Sequence, residues 1–370
     1  MEMHNPHLQL SNQEFAEYVR LNVQRDWYFL KYFPLQYTRT FDIKTLEGQE
    51  TLPVIAETVA FDTPAPKKKR KTIGAWSGEL SKIAISREKN ERAIVEMQNA
   101  QFLAERNEDR QAMTSIINDI YDDTDFVVNG VNAKVEADAL FIASHGFKEF
   151  ESKIDGKGVI TKDRINFNIP DEHLFGTSAK WSETTSADGI GDLIKLMSEC
   201  DKEDLSNLTV AFITKKKLAE LLNQKSTKER LASDISVLSG KSKYQTFTLD
   251  DLNAYMTKLG YPTFEVINRR VNAEQPNGDA YIFSPFNDNV VVLAPSIQLG
   301  KTFYTTVPQV ANSDSQQSYG SFYKVTRYGA VNPMLDVTLA EAYVQPALLN
   351  RKNLFYLNTN NSVWAEGENE

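Results

Sequence analysis

The sequence predicts an α+β protein in which one very long helix separates an N-terminal arm and a long two-stranded loop from a compact domain. The stretch 87–145 contains no proline and is rich in helix-forming residues. Strand-like runs flank this stretch, and short strands alternate with short helices from about 187 to 338. With 370 residues, 41% of them hydrophobic, the chain can bury one large or two medium cores without disulfides.

Residues 1–37 are predicted to form the N-terminal arm. After a polar start, apolar and aromatic side chains crowd an amphipathic segment that ends near Pro34. An arm this apolar would be a liability if it were exposed, so we expect it to dock on a neighbouring element or on another subunit. Its aromatic residues Trp27, Phe29 and Phe33 are predicted intersubunit contacts.

Residues 38–86 are predicted to form an extended loop whose two strand-like runs are 52–61 and 73–86. Pro64 and Pro66 lie between the runs and cannot donate hydrogen bonds to a neighbouring strand, so the loop tip should project. An isolated hairpin of this length is only marginally stable in water. We therefore expect another chain to support the loop.

A basic run at the loop tip has three open interpretations. It matches a nuclear import signal or nucleic-acid patch, it fits a solvated loop tip, and it suits electrostatic docking on an acidic surface of an adjacent subunit. The predicted contact residues of the run are Lys67, Lys68, Lys69, Arg70 and Lys71. The candidate acidic receivers are Asp119, Asp122, Asp123 and Asp125.

Residues 87–186 are predicted to contain the long helix, here called the spine helix, and the peripheral strands that follow it. The helix should end near His145, where Gly146 supplies a C-terminal cap. Gly130 inside it costs roughly 1 kcal/mol relative to alanine, and the acidic cluster is a candidate position for a bend or a break. A strand pair should follow, with its turn at 156–158.

Residues 187–338 are predicted to form a compact α+β axial domain. Helices are expected at 188–197, at 215–222 and after the capping residue Thr248. Strands are expected at 208–213, 264–268, 280–283 and 290–294. The chain then returns as a strand over 339–358 and ends in a polar acidic tail, 359–370, which we expect to be loose.

Residues suited to catalysis, cofactor binding or metal binding are sparse, and we predict no site of these three kinds. Ser144 and His145 are sequence neighbours, whereas a catalytic pair must meet in space beside a third orienting group. His4, His7 and His173 lack metal-ligand spacing, and no phosphate-binding or dinucleotide-binding glycine pattern occurs. The sequence contains one cysteine, which excludes an intrachain disulfide.

Charge and hydropathy limit the cellular compartment and the classes of partner that the sequence allows. No apolar run reaches the ~18 to 20 residues of a membrane-spanning helix, and the first residues lack a secretory pattern, so we expect a cytoplasmic protein without membrane contact. The formal net charge of -9 argues against broad adhesion to nucleic acid.

The order of arm, long loop, spine helix, strand pair, axial domain and returning strand resembles the Hong Kong 97 type fold of tailed-bacteriophage major capsid proteins. Short motifs are similar to the lambda-type major capsid protein E family within that fold. These motifs are Ser178-Ala179-Lys180-Trp181-Ser182, the strand at 208–213 and the stretch from Ala294-Pro295 to Gly300. The basic loop tip and the acidic tail depart from the lambda protein.

The resemblance implies a structural protein without enzymatic activity that assembles with itself, as hexamers and pentamers, into an icosahedral head around double-stranded DNA. It also implies a separate scaffolding protein, a portal protein and a possible decoration protein as partners. Assembly would take place in the host cytoplasm, and the final location would be the virion capsid. An encapsulin-like nanocompartment shell is an alternative with the same fold, and an enzyme with a helical oligomerisation arm is an alternative with another fold.

Overall fold

The structure is a computed structural model that describes most of the chain. The described ranges are 12–21, 26–47, 74–107, 110–153, 159–202, 208–239, 246–274, 279–309, 315–349 and 351–364. The chain divides into two compact units, which are described separately. The first unit comprises Met1–Ile43, Gly78–Ala139 and Lys301–Ala347, and the second unit comprises Lys44–Ser77, Leu140–Gly300 and Leu348–Glu370.

Eight α-helices lie in the described ranges, and one of them is far longer than the rest. The first four are α1 (Asn12–Leu21), α2 (Tyr28–Tyr32), α3 (Glu91–Arg106) and α4 (Arg110–His145). The other four are α5 (Gly189–Lys202), α6 (Lys215–Asn223), α7 (Lys225–Ser239) and α8 (Leu249–Lys258). The 36 residues of α4 make it about 54 Å long, so this helix is the spine helix of the protein.

Seventeen strands accompany these helices within the same part of the chain. Seven precede α5: β1 (Leu35–Tyr37), β2 (Asp42–Glu47), β3 (Gly74–Glu79), β4 (Ser81–Asn90), β5 (Phe147–Lys153), β6 (Val159–Asn166) and β7 (Leu174–Gly176). Five follow in the middle of the chain: β8 (Val210–Thr214), β9 (Thr263–Ile267), β10 (Val271–Glu274), β11 (Ala280–Phe283) and β12 (Val290–Ala294). The last five are β13 (Gly300–Thr305), β14 (Ser315–Tyr319), β15 (Lys324–Val331), β16 (Met334–Leu348) and β17 (Phe355–Asn358).

The first unit is organised on a six-stranded sheet with the strand order β1, β13, β16, β15, β14, in which β4 also pairs with β16. The 15-residue strand β16 is antiparallel to both β15 and β4, and β1 is parallel to β13. Ala340, Ala342 and Val344 of β16 are fully buried at alternate positions. This period of two is the pattern of a strand with one covered face.

The spine helix is buried along one stripe and comes close to β4. Val127, Val131 and Val135 on this stripe have no exposed surface. A Cβ atom at Gly130 would lie 2.6 Å from Cδ1 of Ile85 in β4, which is closer than carbon atoms can approach without one of them moving. Glycine at position 130 therefore permits the close approach of α4 to the sheet.

The second unit contains a five-stranded mixed sheet with the strand order β7, β17, β12, β8, β9. The central strand β12, Val-Val-Val-Leu-Ala, is buried at all of its residues, as expected for a strand covered on both faces. Strands β8 and β9 are parallel, whereas β12 is antiparallel to β8 and to β17. Side chains of α5, α6 and α8, including Ile190, Leu221 and Leu252, complete the core against this sheet.

The predicted end of the spine helix is confirmed, and its predicted start is wrong. The helix ends at His145, and Gly146 has a φ of +72°, the left-handed conformation that terminates helices. Residues 87–90 are not helical, because they pair with β16 as the last part of β4. Asn90 then caps α3: its Oδ1 accepts a hydrogen bond from the Ala93 N–H at 3.0 Å.

The helix between 87 and 145 is interrupted, but not at the acidic cluster. Helix α3 ends at Arg106 and helix α4 begins at Arg110, whereas the acidic cluster at 119–125 lies inside α4. Two of the acidic side chains have partners in the first unit: Asp123 is paired with two cations of β4, and Asp125 accepts a hydrogen bond from Tyr18.

The axial-domain elements were predicted with mixed success. Strands at 280–283 and 290–294 and the helix at 215–222 are confirmed as β11, β12 and α6. Thr248 caps α8 through a capping box with Asp251. Helix α7 was not predicted, and β13 to β15 pair in the first unit rather than joining an axial domain that extends to 338.

In the loop region the structure describes only part of what was predicted. The strand-like run at 73–86 corresponds to β3 and β4, and β3 pairs with β2. The run at 52–61 and the turn at 156–158 lie outside the described residues. The strand pair around that turn is confirmed as the antiparallel pair of β5 and β6.

We predict that Gly130 and Ile85 are energetically coupled. Gly130→Ala should gain about 1 kcal/mol of helix propensity, but the added methyl would collide with Cδ1 of Ile85 and offset that gain. Ile85→Val lacks this Cδ1 atom and leaves Cγ2 as the nearest atom, at 3.2 Å, so Gly130→Ala should be more favourable in the Ile85→Val chain than in the parent. Urea unfolding of the four chains of this double-mutant cycle measures the coupling, and additive effects of the two substitutions would contradict it.

Candidate functional site

The three aromatic residues of the arm that were predicted as intersubunit contacts are buried within the chain itself. Phe29 and Phe33 have no exposed surface, and Trp27 is 7% exposed. The Phe29 ring packs edge-on against Phe322, with the ring centroids 5.8 Å apart. An intersubunit role was expected because an apolar arm would otherwise be exposed to water. The rest of the same chain covers these three side chains, so they do not need a second subunit for burial.

A buried carboxylate fixes the arm on the spine helix. Glu136 of α4 has no exposed surface, and its two carboxylate oxygens accept hydrogen bonds from the backbone N–H groups of Tyr28, at 3.2 Å, and Phe29, at 2.8 Å. These N–H groups open α2 and have no partner inside that helix. Trp27, the residue before α2, supplies no side-chain cap, so Glu136 takes this role from another element.

Two tyrosines add further links between α1 and the rest of the first unit. The Tyr18 hydroxyl donates to Asp125 of α4 at 2.6 Å, and its ring stacks on Tyr121 with the centroids 4.0 Å apart. Burial, followed by this hydrogen bond, raises the pKa of Tyr18. The Tyr323 hydroxyl donates to the Val19 carbonyl, and burial raises the pKa of Tyr323 to about 12.

The acidic cluster of α4 is paired within the chain at two of its four members. Asp123 accepts from Lys89 at 2.5 Å and from Arg87 at 3.3 Å, and both cations belong to β4. Asp125 accepts from Tyr18, and Asp122 is exposed. Asp119 lies in α4 with its side chain outside the described part, and the basic run at 67–71 also lies outside it. The predicted pairing between that run and this cluster therefore stays a prediction.

The Trp-Ser motif of the sequence forms a buried polar junction at the start of the second unit's helices. Trp181 is fully buried, and its indole N–H donates to Asp192 at 3.1 Å. The Thr177 hydroxyl donates to the same carboxylate oxygen. Gln224 donates from Nε2 to the Trp181 carbonyl and accepts at Oε1 from the Gly189 N–H. These residues orient α5 and α6, which is a structural function.

Ser144 and His145 are close in space but serve the end of the spine helix. The Ser144 hydroxyl lies 2.9 Å from His145 Nδ1 and accepts from the Asn287 N–H at 3.0 Å. The His145 ring is buried, stacks on Phe141 and lies 3.0 Å from the Phe141 carbonyl. The Ser144 hydroxyl also donates to the Leu140 carbonyl at 3.2 Å, so both side chains are engaged with backbone groups at the end of the helix.

The stability of the second unit should fall on acidification because of His145. Burial lowers the pKa of this imidazole below its ordinary value of 6.5. Protonation therefore favours the unfolded state, so the stability from neutral His145 is present above about pH 6.5 and is lost as the pH falls through the folded-state pKa. Urea unfolding between pH 7.5 and about pH 5 should show this loss in the parent. His145→Gln should reduce the slope of stability against pH, and an unchanged slope would contradict the assignment.

Four cations gather in a cleft of the second unit, here called the basic cleft. It has a volume of about 620 Å³, and its charged lining residues are Lys215, Lys216, Arg269, Arg270 and Asp288. Lys215 and Lys216 directly follow β8, and Arg269 and Arg270 follow β9 after one residue. Since β8 and β9 are parallel and Thr214 aligns with Ile267, the two cationic pairs emerge at the same edge of the sheet.

The basic cleft was not predicted from the sequence, although the sequence contains the signal for it. Two pairs of cations each come just after a strand-like run, and side chains that follow neighbouring parallel strands meet at one edge. The missing information was that β8 and β9 are neighbours, which depends on pairing between segments about fifty residues apart in sequence.

The described ranges contain no group of three or more histidine, cysteine, aspartate or glutamate side chains arranged to hold a metal ion. None of the helices described is both long and apolar enough to cross a membrane.

Comparison with known proteins identifies the fold. No protein-family model matches the sequence, and no curated protein is detectably similar to it. A solved structure from an Escherichia coli CFT073 prophage, provisionally assigned as a capsid protein, matches 94% of this chain and 99% of its own chain with a TM-score of 0.53 and 12% identity. A phage-related protein of Bordetella bronchiseptica RB50 matches 93% of this chain and 95% of its own, with a TM-score of 0.52 and 12% identity.

The chain has the fold of these phage proteins. The Hong Kong 97 type fold predicted from the order of its elements is confirmed, since the match extends over nearly the whole of this chain and of both relatives. At 12% identity the property shared with these structures is the fold, and the narrower resemblance to the lambda-type family rests on the sequence motifs alone.

Proposed function

We propose that the chain is the major capsid protein of a tailed bacteriophage, whose copies assemble into the icosahedral head that encloses double-stranded DNA. The observation that carries the proposal is the near-complete match to the prophage protein provisionally assigned as a capsid protein. A fold alone does not determine function, so the surface of the chain must also be suited to assembly.

Helix α3 presents an apolar stripe that is suited to a contact between subunits. Ile94 and Met97 are buried within the chain, whereas Val95, Phe102 and Leu103 are 46%, 49% and 54% exposed. The three exposed side chains lie within about 100° of one another around the helix axis, so they form one patch. Contiguous exposed apolar surface marks contact sites on soluble proteins, which supports packing of α3 against a second copy.

The proposed partners follow from this role. Other copies of the chain would form hexamers and pentamers in the shell, and a separate scaffolding protein, a portal protein and a decoration protein would join during assembly. The net charge of -9 is compatible with a wall that encloses DNA without binding it specifically. The protein would act without a cofactor and without catalysis, assemble in the host cytoplasm and remain in the virion capsid.

An encapsulin-like shell is the alternative within the same fold. The phage proposal is favoured because one of the two similar structures described above is of a prophage protein and the other is of a phage-related protein. The contents of particles isolated from the host distinguish the two functions. A phage head would contain nuclease-protected double-stranded DNA, whereas a nanocompartment would contain a cargo protein and little nucleic acid.

Native mass spectrometry and negative-stain imaging of the purified full-length chain test the proposal. We expect pentamers, hexamers or closed particles, because the α3 stripe needs a partner surface. Phe102→Asp combined with Leu103→Asp should reduce these assemblies by ~10-fold or more while leaving the thermal midpoint of the subunit unchanged, since both side chains are exposed.

Ser198→Asp combined with Ala254→Asp is the control for the two added charges. Both residues are exposed and lie on α5 and α8 rather than on α3, so their substitution should leave assembly intact. A parent chain that stays monomeric at its highest soluble concentration would contradict the shell function. Equal assembly of the control and the stripe variant would exclude α3 as the contact.

A further inference from the structure

The basic cleft has the chemistry of a binding site for acidic groups. Its lining includes four cations and one carboxylate, Asp288, which lies 3.7 Å from Lys216. The cleft also contains the first turn of α6, which Thr214 caps by accepting from the Lys217 N–H. The positive end of a helix adds to the attraction for an anion that the neighbouring cations already provide.

Apolar side chains of β11 also line the cleft and are exposed; they are here called the apolar wall. Ile282 and Phe283 of β11 line the cleft and are 69% and 36% exposed, and Tyr281 beside them is 47% exposed. β11 pairs only with β10 in the described sheets, so this hairpin lacks a covering layer there. A small anion would contact the cations and leave the apolar wall exposed to water. A peptide that combines carboxylates with apolar side chains would contact the cations and also cover the apolar wall.

The same chain carries a segment with this combination at its C-terminal end. Val363 is 72% exposed, and Trp364 follows it. Glu366, Glu368 and Glu370 come next, and this acidic stretch lies outside the described residues. These residues belong to the acidic tail, 359–370. Trp364 packs edge-on against Tyr356 of its own chain, with the ring centroids 5.7 Å apart, so the exposed Val363 and the three glutamates are the groups that complement the apolar wall and the cations of the cleft.

We propose that the basic cleft binds the acidic tail of a second copy of this chain. A surface and its complement at two different places on one chain form a heterologous contact, and repetition of such a contact around an axis closes a ring. The proposal rests on the shell function proposed above and assigns one contact within its pentamers and hexamers. Charge pairing between copies sets the register and the rate of such contacts.

Charge reversal on both sides of the contact is the test. In the full-length chain, Lys215→Glu combined with Arg270→Glu should reduce rings and particles by ~10-fold or more. Both side chains are exposed, and a carboxylate at position 215 is favourable at the start of α6, so folding should be retained. Glu366→Lys combined with Glu368→Lys should cause a similar loss. All four substitutions together should restore assembly.

Lys180→Glu combined with Lys195→Glu is the control for net charge. These exposed lysines lie in the same unit but outside the cleft, and the change in charge is the same, so assembly should equal that of the parent. The proposal is overturned if cleft reversal leaves assembly unchanged, if the control impairs it equally, or if the combined reversal fails to restore it.

Direct binding separates the cleft proposal from the shell proposal. A fluorescent peptide of residues 360–370 should bind the full-length parent, bind more weakly at high salt, and lose binding to the cleft-reversed chain. Peptide binding to a parent that never forms rings would support tail binding by the cleft and contradict the shell function. Ring formation without peptide binding would support the shell function and contradict tail binding by the cleft. A duplex of about 20 base pairs that outcompetes the peptide at the cleft would overturn the proposal in favour of nucleic acid.

Discussion

The arrangement of the first unit depends on one buried carboxylate. Glu136 of the spine helix accepts the N–H groups of Tyr28 and Phe29, which open a helix of only five residues. A helix this short has no stability of its own, so its conformation must be imposed by contacts with the rest of the chain. Hydrogen bonds from backbone N–H groups to a carboxylate are among the strong ones in proteins, so the loss of these two should destabilise the start of α2.

The closed arm changes where contacts between subunits are to be sought. The side chains of Trp27, Phe29 and Phe33 belong to the interior of the subunit, and Asp123 of the spine helix is paired with two cations of β4. The exposed chemistry lies elsewhere, in the apolar stripe of α3 and in the basic cleft at the edge of the second sheet. A shell subunit built in this way would keep its fold before assembly and present separate surfaces for it.

Features set by local sequence could be predicted, and features set by long-range pairing could not. The end of α4 at Gly146 and the buried strand β12 follow from a left-handed glycine and from an unbroken apolar run. Residues 87–90 have a helical composition, yet they form a strand because β16, some 250 residues away in sequence, supplies the pairing partner. In the sequence, Glu136 cannot be distinguished from the other polar residues of the helix, because its role depends on its contact with the start of α2.

Amide hydrogen exchange at Tyr28 and Phe29 in the unassembled subunit tests the central claim, that the arm is closed on its own chain by Glu136. Both amides should exchange at least ~100-fold more slowly than in an unstructured peptide, and Glu136→Gln should remove much of that protection. Exchange at the rate of an unstructured chain in the parent subunit, with protection appearing only after assembly, would contradict the account and return the arm to a contact between copies.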